Sequence, residues 1–179
     1  MTRVIAGAWG GRRLTTPRGS GTRPTSDRVR EALFSSLKSE LGSFDGLRVL
    51  DLYAGSGALG LEALSRGAAH VDLVESGRPA AAAIAANIAA LQTRAAVLHR
   101  ITVERFLASC SDRYDLVLLD PPYQEDPTGV LVGVVGVLAA GGLVVVERSA
   151  RDAFAWPAGL TGIRDKAYGE TRLWYGQAS

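Results

Sequence analysis

Apolar residues along this chain follow helical spacing in some segments and form strand-like runs in others. In the first long helical segment they recur at every fourth position: Val29, Leu33, Leu37 and Leu41. This spacing predicts an amphipathic helix that begins near Asp27, is capped by Thr25 or Ser26, and ends within residues 42–46. Short apolar runs then alternate with helical segments through most of the remaining chain.

The alternation predicts an ordered series of strands and helices. Strands are predicted at residues 47–52, 71–75, 95–101, 115–119 and 143–147. Helices are predicted between them at residues 58–66 and 79–91, in a short segment ending at 107, and at 128–139. A closing antiparallel hairpin is predicted from residues 163–168 and 171–175. We therefore expect a doubly wound, mostly parallel α/β sheet that binds ligands beyond the carboxyl ends of its strands.

The N-terminal residues follow a different pattern. Val4–Ala6 and Arg12–Thr15 are predicted to pair as a hairpin across Trp9-Gly10-Gly11, and residues 17–24 are predicted to form a loop. We accordingly divide the chain into a basic N-terminal hairpin and arm, residues 1–24, and an α/β domain, residues 25–179.

One uncharged stretch, residues 127–146, is long enough to raise the alternative of a membrane span. Five glycines interrupt it, and Gly141-Gly142 divides it into a piece of helix length and a piece of strand length. A buried helix followed by a buried parallel strand has the same hydropathy, and we favour that interpretation.

The N-terminus lacks an apolar segment of signal-peptide length, and the single cysteine, Cys110, suits a reducing compartment. We expect a cytoplasmic protein without membrane association.

Charged residues are distributed unevenly along the chain. The formal net charge is +2, but residues 1–30 hold seven arginines and a single acid, Asp27. A basic arm on a mildly acidic body is typical of proteins with a nucleic-acid partner. A solvated surface segment would have the same composition, so the charge pattern leaves both interpretations open.

A glycine-rich loop follows the first predicted strand of the α/β domain. It comprises Asp51, Leu52, Tyr53, Ala54, Gly55, Ser56, Gly57, Ala58, Leu59 and Gly60, which satisfy the pattern G-x-G-x-x-G. In dinucleotide enzymes such glycines let the backbone approach a pyrophosphate, and in methyltransferases they let it approach the amino-acid end of S-adenosylmethionine. Asp51 favours the second alternative, because a carboxylate would repel a pyrophosphate but suits an ammonium group. Glu75, at the end of the next strand, is placed to accept both ribose hydroxyls of either cofactor.

The second chemical motif is Asp120-Pro121-Pro122-Tyr123, which directly follows the apolar run 116–119. Two consecutive prolines fix φ twice and remove two N–H donors, so the chain leaves the strand as a stiff extended turn. A carboxylate, backbone carbonyls without competing N–H groups and an aromatic ring suit a planar base that carries an NH₂ group. The motif predicts that an exocyclic amine of a nucleobase is held against a methyl donor.

Together these residues resemble the class I S-adenosylmethionine-dependent methyltransferases that modify base amines. Four segments further resemble the bacterial 16S rRNA guanine-N2 methyltransferase family called RsmD: Arg23–Phe34, Asp51–Gly60, Asp120–Tyr123 and Tyr168–Thr171. The resemblance spans nearly the whole chain, and Arg23–Phe34 is its most family-specific part. It implies the Rossmann-like sheet of class I methyltransferases, S-adenosylmethionine as cofactor, and a cytoplasmic monomer. The implied target is one guanine of small-subunit 16S rRNA, preferably in assembled subunits.

The resemblance also implies roles for individual residues. The cofactor would be bound by Asp51, Tyr53, Ala54, Gly55, Ser56, Gly57, Glu75 and Asp120. The guanine would be held by Asp120, Pro121, Pro122 and Tyr123. Thr102 stands where the family usually has an aspartate for the adenine amine, so its hydroxyl or nearby backbone groups would hold adenine instead. Phosphates around the target would be gripped by Arg3, Arg12, Arg13, Arg18 and Arg23.

Two rival functions stay open at the level of sequence. Adenine- and cytosine-N DNA methyltransferases use the same tetrapeptide, although 179 residues leave little room for a separate target-recognition region. A catalytically idle ribosome-assembly factor could bind rRNA as well, although it would need neither Asp120 nor the glycine loop. No metal site is predicted, because His70 and His99 lack metal-ligand spacing.

Overall fold

The computed structural model describes residues 2–17, 26–122 and 124–179. Its elements in chain order are β1 (Thr2–Arg3), β2 (Arg13–Leu14), α1 (Asp27–Leu41), β3 (Arg48–Leu52), α2 (Ala58–Ser65), β4 (His70–Val74), α3 (Arg78–Leu91), β5 (Ala96–His99), α4 (Val103–Ser109), β6 (Tyr114–Leu119), α5 (Thr128–Val135), β7 (Leu138–Ser149), β8 (Leu160–Tyr168) and β9 (Thr171–Ala178).

Seven strands form one sheet in the order β5-β4-β3-β6-β7-β9-β8. The first five are mutually parallel, and β9 runs antiparallel between β7 and β8. The chain moves outward from β3 to β5 and then returns to place β6 on the other side of β3. The topological switch point therefore lies between β3 and β6, where ligands of doubly wound sheets bind. This topology confirms the predicted mostly parallel sheet with its antiparallel C-terminal hairpin.

Helices cover both faces of the sheet and create two hydrophobic layers. One layer joins α1, α2 and α3 to the sheet and contains the fully buried Phe34, Leu61 and Ile84. The other joins α4 and α5 to the opposite face and contains the buried Phe106 and Leu131. Full burial of one such side chain contributes roughly 1.5–3 kcal/mol. Strands buried on both faces need apolar residues throughout, which explains the unbroken apolar run at the end of β6.

Helix α1 begins as the sequence predicts. Ser26 is its N-cap, and the Ser26 hydroxyl accepts a hydrogen bond from Val29 N at 3.3 Å. Thr25, the alternative cap, lies outside the described residues. Most other elements of the α/β domain match their predicted bounds to within three residues.

The uncharged stretch is divided differently from the prediction. Helix α5 ends at Val135, and β7 begins at Leu138 and continues through Gly141 and Gly142. Gly141 adopts a φ of 71°, and the register between β6 and β7 shifts in this region. The glycine pair thus forms an irregularity inside a strand rather than a loop before it. No helix in the described part of the chain is long and apolar enough to cross a membrane.

The N-terminal hairpin is shorter than predicted, and its first strand lies at Thr2–Arg3 rather than at the predicted Val4–Ala6. Strands β1 and β2 hold two residues each, and Val4 continues their pairing through backbone bonds to Gly11 and Arg12. The next two residues turn away and donate their N–H groups to the Glu62 carboxylate of α2, at 2.7 and 3.0 Å. The predicted loop that follows lies outside the described residues except for Pro17.

Buried contacts dock this hairpin on α2 and α3. Val4 and Leu14 belong to the same hydrophobic layer as α1 and α2. The Asn87 side chain, on α3, accepts from Thr15 N at 2.7 Å and donates to Thr15 O and Ser56 O, both at 2.9 Å. Asn87 therefore links the end of the hairpin to the glycine loop that follows β3.

Gly7 lies where the hairpin approaches α2 most closely, and it generates a stability prediction. A Cβ at Gly7, whose φ is 83°, would lie 1.8 Å from Ser65 O, whereas a Cβ at Gly11, whose φ is 84°, would meet nothing within 4 Å. Both alanine variants carry the strain of a positive φ, but only Gly7→Ala forces the hairpin away from α2. We expect Gly7→Ala to lower the free energy of unfolding by about 1–3 kcal/mol more than Gly11→Ala in urea denaturation. Equal losses would contradict the tight docking.

Candidate active site

The glycine loop leaves the carboxyl end of β3 through a series of left-handed backbone conformations. Tyr53, Gly55 and Gly57 have φ angles of 58°, 60° and 78°. Gly57 N donates to Ala54 O at 2.7 Å, which closes the turn before α2 begins. A positive φ at a bulky aromatic residue is rare and is found mostly where function requires it. The loop thus places backbone N–H groups and the Tyr53 ring at the switch point of the sheet.

Asp51 lies at the base of this loop and is 2% exposed. Its Oδ2 accepts a hydrogen bond from Gly60 N at 2.8 Å. Burial raises the pKa of Asp51 to about 7, with a further increase from the nearby Glu75 carboxylate, while the bond from Gly60 lowers it. A buried carboxylate of this kind would be stabilised in its ionised form by a cation. Asp51 therefore orders the loop from beneath, through its bond to Gly60.

The third glycine of the motif serves packing rather than ligand approach. A Cβ on Gly60 would lie 2.6 Å from Leu73 Cδ2, 2.8 Å from Val71 Cγ2 and 3.1 Å from Asp51 Oδ2. Because Gly60 has no Cβ, α2 can approach β4 this closely while the Gly60 N–H still donates to Asp51.

Glu75 follows β4 and joins two loops. Its Oε2 accepts from Gly55 N at 2.9 Å and its Oε1 accepts from Gly77 N at 2.7 Å. Each carboxylate oxygen has a second lone pair, so the same side chain can still accept hydroxyl donors from a ligand. Glu75 thus holds the glycine loop at a fixed distance from the end of β4.

A cleft of about 140 Å³ opens between these loops and the start of α4. It is lined by Tyr53, Val74, Glu75, Ser76, Thr102, Val103, Glu104 and Glu125. The structure therefore brings together the predicted residues Tyr53, Glu75 and Thr102. Val74 and Val103 provide apolar surface suited to a planar ring, and Thr102 is the N-cap of α4, accepting from Arg105 N at 3.4 Å.

Asp120 directly follows β6, on the other side of the switch point from β4. Its backbone N lies 3.5 Å from Leu52 O, which joins it to the end of β3. Burial raises the pKa of Asp120 well above its usual range, the Glu147 and Asp51 carboxylates raise it further, and Arg148 lowers it. Within the part of the chain that the structure describes, no group donates a hydrogen bond to this carboxylate. Asp120 is therefore placed to accept from a ligand.

The tetrapeptide after β6 continues into a turn. Glu125 N donates to Pro122 O at 3.0 Å, which closes a turn over residues 122–125. Pro121 is buried and Pro122 is exposed, and Tyr123 lies outside the described residues.

The predicted RNA-binding arginines have different environments. Arg3 is exposed but pairs with Asp27, its Nε lying 3.1 Å from Asp27 Oδ2, and Arg12 donates to Ala90 O at 2.7 Å. Arg13 lies opposite Arg3 in the hairpin register and is exposed. Arg18 and Arg23 lie outside the described residues.

One arginine of the basic N-terminal segment belongs to the protein interior. The Arg30 side chain is 1% exposed, and its Nη2 donates to Arg3 O and Asp27 Oδ1 at 2.7 and 2.8 Å. This contact lowers the pKa of Asp27. Arg30 therefore anchors α1 to the hairpin, and the surface charge of the segment is smaller than its composition indicates.

Sequence reasoning missed three residues of the site: Glu104, Glu125 and Arg148. Glu104 and Glu125 each place a carboxylate oxygen 3.5 Å from the Tyr53 hydroxyl. Burial and these two carboxylates raise the pKa of Tyr53. Arg148 follows Glu147 near the carboxyl end of β7, so the convergence of parallel strand ends was the available signal for it.

Comparisons with known proteins agree with this geometry. The family model described as "Conserved hypothetical protein 95" matches residues 2–177. The "Ribosomal RNA small subunit methyltransferase D" of Escherichia coli K12 is 37% identical over 172 residues, covering 94% of this chain and 85% of that protein. The chain belongs to the RsmD family. The resemblance stated from sequence is thereby confirmed.

Other relatives of this RsmD-family chain support the same assignment. A Bacillus subtilis protein named "Putative rRNA methyltransferase YlbH" is 38% identical over 152 residues, covering 81% of each chain. The solved structure of a putative methyltransferase, yhhF, from Escherichia coli superposes with a TM-score of 0.87 at 33% identity, covering 98% of this chain and 97% of that one. The fold is that of the class I methyltransferases.

The raised pKa of Asp51 generates a prediction about stability and pH. The carboxyl group has a pKa of about 7 in the folded chain and about 3.8 when unfolded, so the folded state binds the proton more tightly. The stability contributed by Asp51 therefore decreases as pH rises from about 4 to about 7. Asn at this position can still accept from Gly60 N but never ionises.

We expect the melting temperature of Asp51→Asn, relative to the ligand-free wild type, to increase between pH 5 and pH 8. Thermal denaturation at the two pH values measures this, with Asp45→Asn at an exposed carboxylate as the control. A relative melting temperature that is the same at both pH values would refute the proposed burial cost of ionised Asp51.

Proposed function

We propose that this chain transfers a methyl group from S-adenosylmethionine to the exocyclic N2 amine of one guanine in 16S rRNA of the small ribosomal subunit. The observation that carries the proposal is the half-buried Asp120 carboxylate, which accepts no hydrogen bond from the described residues and whose pKa the Glu147 and Asp51 carboxylates raise. Membership of the RsmD family, with relatives named as small-subunit rRNA methyltransferases, supports the choice of substrate. We further propose that the enzyme acts as a cytoplasmic monomer.

The residues around the cleft fit S-adenosylmethionine chemically. Asp51 would accept the ammonium group of the cofactor, and the backbone of the loop 53–57 would lie along its amino-acid end. A Cβ on Gly55 would enter open space above the loop, so the glycine leaves room for close approach. Glu75 would accept the ribose hydroxyls, and adenine would lie between Val74 and Val103 near Thr102. When bound, the cofactor would supply a methyl group on a sulfonium, from which a neutral thioether leaves readily.

The chain's own contribution is the placement of a weak nucleophile. The lone pair of the guanine N2 amine is delocalised into the ring, so the nitrogen attacks poorly unless it becomes pyramidal. The Asp120 carboxylate and the Pro121 carbonyl would accept its two N–H groups and favour that geometry. Because the pKa of Asp120 is raised, this carboxylate can also take the proton that the nitrogen releases after methylation. In-line positioning of this kind supplies at most about 7–11 kcal/mol of the barrier reduction.

The base must be unpaired or extruded to reach Asp120. Tyr123 would stack on it, a contact worth about 1–3 kcal/mol per base, and Pro122 would stiffen the turn that carries Tyr123. Arg3, Arg12 and Arg13 would contact phosphates nearby, together with Arg18 and Arg23. Catalysis in this proposal depends on positioning and on a single acceptor carboxylate.

The decisive experiment identifies the methylated nucleoside. The protein is incubated with methyl-labelled S-adenosylmethionine and, separately, with small ribosomal subunits, free 16S rRNA and duplex DNA, and the products are digested to nucleosides. We expect N2-methylguanosine from the small subunits. Methylated adenine or cytosine from DNA would establish the rival methyltransferase activity, and no product from any substrate would favour a non-catalytic assembly factor.

Asp120→Asn tests the role of the carboxylate in that assay. The substitution keeps the shape of the side chain but replaces one acceptor oxygen with a donor. We expect the transfer rate to fall by at least about 10- to 100-fold, the equivalent of one charge-assisted hydrogen bond. Binding of S-adenosylmethionine, measured by calorimetry, is expected to stay within a few-fold of wild type. Wild-type turnover by this variant would exclude the catalytic role of Asp120.

The hairpin arginines generate a prediction about salt. Each Lys or Arg contact to a phosphate contributes about 0.7–0.9 to the slope of log K against log salt concentration. We expect Arg13→Gln to reduce this slope by one such increment in binding to a 16S rRNA fragment, whereas Arg113→Gln, exposed at the amino end of β6, leaves it unchanged. Identical slopes for Arg13→Gln and wild type would show that Arg13 is only a surface residue.

A further inference from the structure

Arg148 is a buried cation whose contacts are directed at the loop after β6. Its side chain is 9% exposed and projects from the penultimate residue of β7. Its Nη1 donates to Pro122 O at 3.2 Å and to Glu125 O at 3.0 Å, and its Nη2 forms an ion pair with Asp152 Oδ2 at 3.0 Å. One guanidinium therefore joins both ends of the turn 122–125 to the end of β7.

The turn needs such a contact because it has few other ways to be fixed. Pro121 and Pro122 have no N–H groups, so this part of the chain cannot extend the β6 ladder or donate to its neighbours. Its own closing bond runs from Glu125 N to Pro122 O. The Pro122 and Glu125 carbonyl oxygens are further anchoring groups, and a planar guanidinium with several fixed donors is the side chain best suited to hold both at once.

Arg148 also acts electrostatically on the acceptor carboxylate. Among the residues that the structure describes, the charged groups that act on Asp120 are Glu147 and Arg148 on β7 and Asp51 at the end of β3. Both carboxylates raise the pKa of Asp120, and Arg148 is the group that lowers it. Removal of the positive charge would therefore leave Asp120 protonated up to a higher pH.

We propose that Arg148 is a positioning residue that clamps the turn 122–125 to β7 and thereby holds the target-base pocket in shape beside Asp120. This inference rests on the proposed methyl transfer to a base amine, but the clamp itself is a property of the folded chain that can be measured without substrate. Arg148 donates to the Pro122 and Glu125 carbonyls, whereas the cofactor loop after β3 is held by the separate contacts of Asp51 and Glu75. The loss of Arg148 therefore acts first on the turn beside the base.

The test compares three variants of the full-length protein. Arg148→Gln removes both the charge and the fork of donors, and Arg148→Lys keeps the charge but has a single donor atom that cannot reach both carbonyls and Asp152. Arg172→Gln is the matched control. Arg172 lies opposite Arg148 in the sheet register, and its Nη1 pairs with Asp165 Oδ2 at 2.6 Å instead of with the turn.

The first measurement is amide hydrogen exchange of the peptide that contains Gln124 and Glu125, without substrate. We expect exchange at least tenfold faster in Arg148→Gln, an intermediate increase in Arg148→Lys, and no change in Arg172→Gln. Wild-type exchange in both Arg148 variants would overturn the clamp, whatever the enzyme methylates.

The second measurement is the pH profile of methyl transfer to small subunits, together with calorimetric binding of S-adenosylmethionine. We expect Arg148→Gln to lower kcat at least tenfold with cofactor affinity within twofold of wild type, and to move the acidic limb of kcat/KM to higher pH. Arg148→Lys is expected to lower kcat severalfold while keeping the acidic limb near its wild-type position. A parallel loss of cofactor binding, or a kcat equal to that of Arg172→Gln, would overturn the positioning role.

The two measurements also separate failure of the inference from failure of the proposed function. If wild-type protein methylates no base amine, the proposed function fails, and hydrogen exchange still decides whether Arg148 holds the turn. If Arg148→Gln does not fold, Arg148→Lys alone decides, because it retains the buried charge that faces Asp152.

Discussion

The site depends on the parallel pairing of β3 with β6. Leu52 and Leu119 are partners in the register, so the two loops that follow these strands leave the sheet at the same level. Asp51 directly precedes Leu52, and Asp120 directly follows Leu119. Glu147 lies on β7, the strand next to β6. Burial raises the pKa of both Asp51 and Asp120, and the Glu147 and Asp51 carboxylates raise the pKa of Asp120 further. Such a site is electrostatically unfavourable until a cation and hydrogen-bond donors enter it, which are the properties of the proposed cofactor and target amine.

Elsewhere in the chain, carboxylates accept backbone N–H groups in irregular segments that have no strand or helix partner. Glu62 accepts the N–H groups of two residues at the hairpin turn, and Glu75 accepts those of Gly55 and Gly77. A buried N–H group without an acceptor costs about 1–3 kcal/mol, so each acid stabilises a loop that no strand could pair. Arg148 does the converse for the carbonyls of a proline-rich turn. Loop shape in this protein is therefore specified by a few buried charged side chains.

The part of the fold that could be predicted is the part governed by local patterns. Periodic apolar residues located the helices, and apolar runs located the parallel strands. Because each chemical motif follows a predicted strand, the sequence also placed the glycine loop and Asp120 at the ligand-binding edge of the sheet. Gly141 and Gly142 were misleading because glycine interrupts a helix pattern and forms a bulge with equal ease, and only the pairing of β7 with its neighbours decides between them. The roles of Glu62 and Arg148 could not be predicted from local sequence. In sequence, Glu62 resembles a surface residue of a helix and Arg148 resembles a charge at a strand end. Their roles come from contacts with residues 57 and 26 positions away.

The docking of the N-terminal hairpin has a consequence for the thermodynamics of recognition. The hairpin is attached to α2 and α3 through Val4, Leu14 and Asn87. The arginines of the hairpin therefore lie on a fixed backbone. A flexible basic arm would lose conformational entropy when it closed on a nucleic acid, at roughly 0.5–1.5 kcal/mol for each immobilised side chain in addition to the backbone. Here the backbone of the hairpin loses its conformational entropy during folding and not during binding. The basic hairpin and the cleft therefore form one preorganised surface, and a partner has to fit the fixed distance between them.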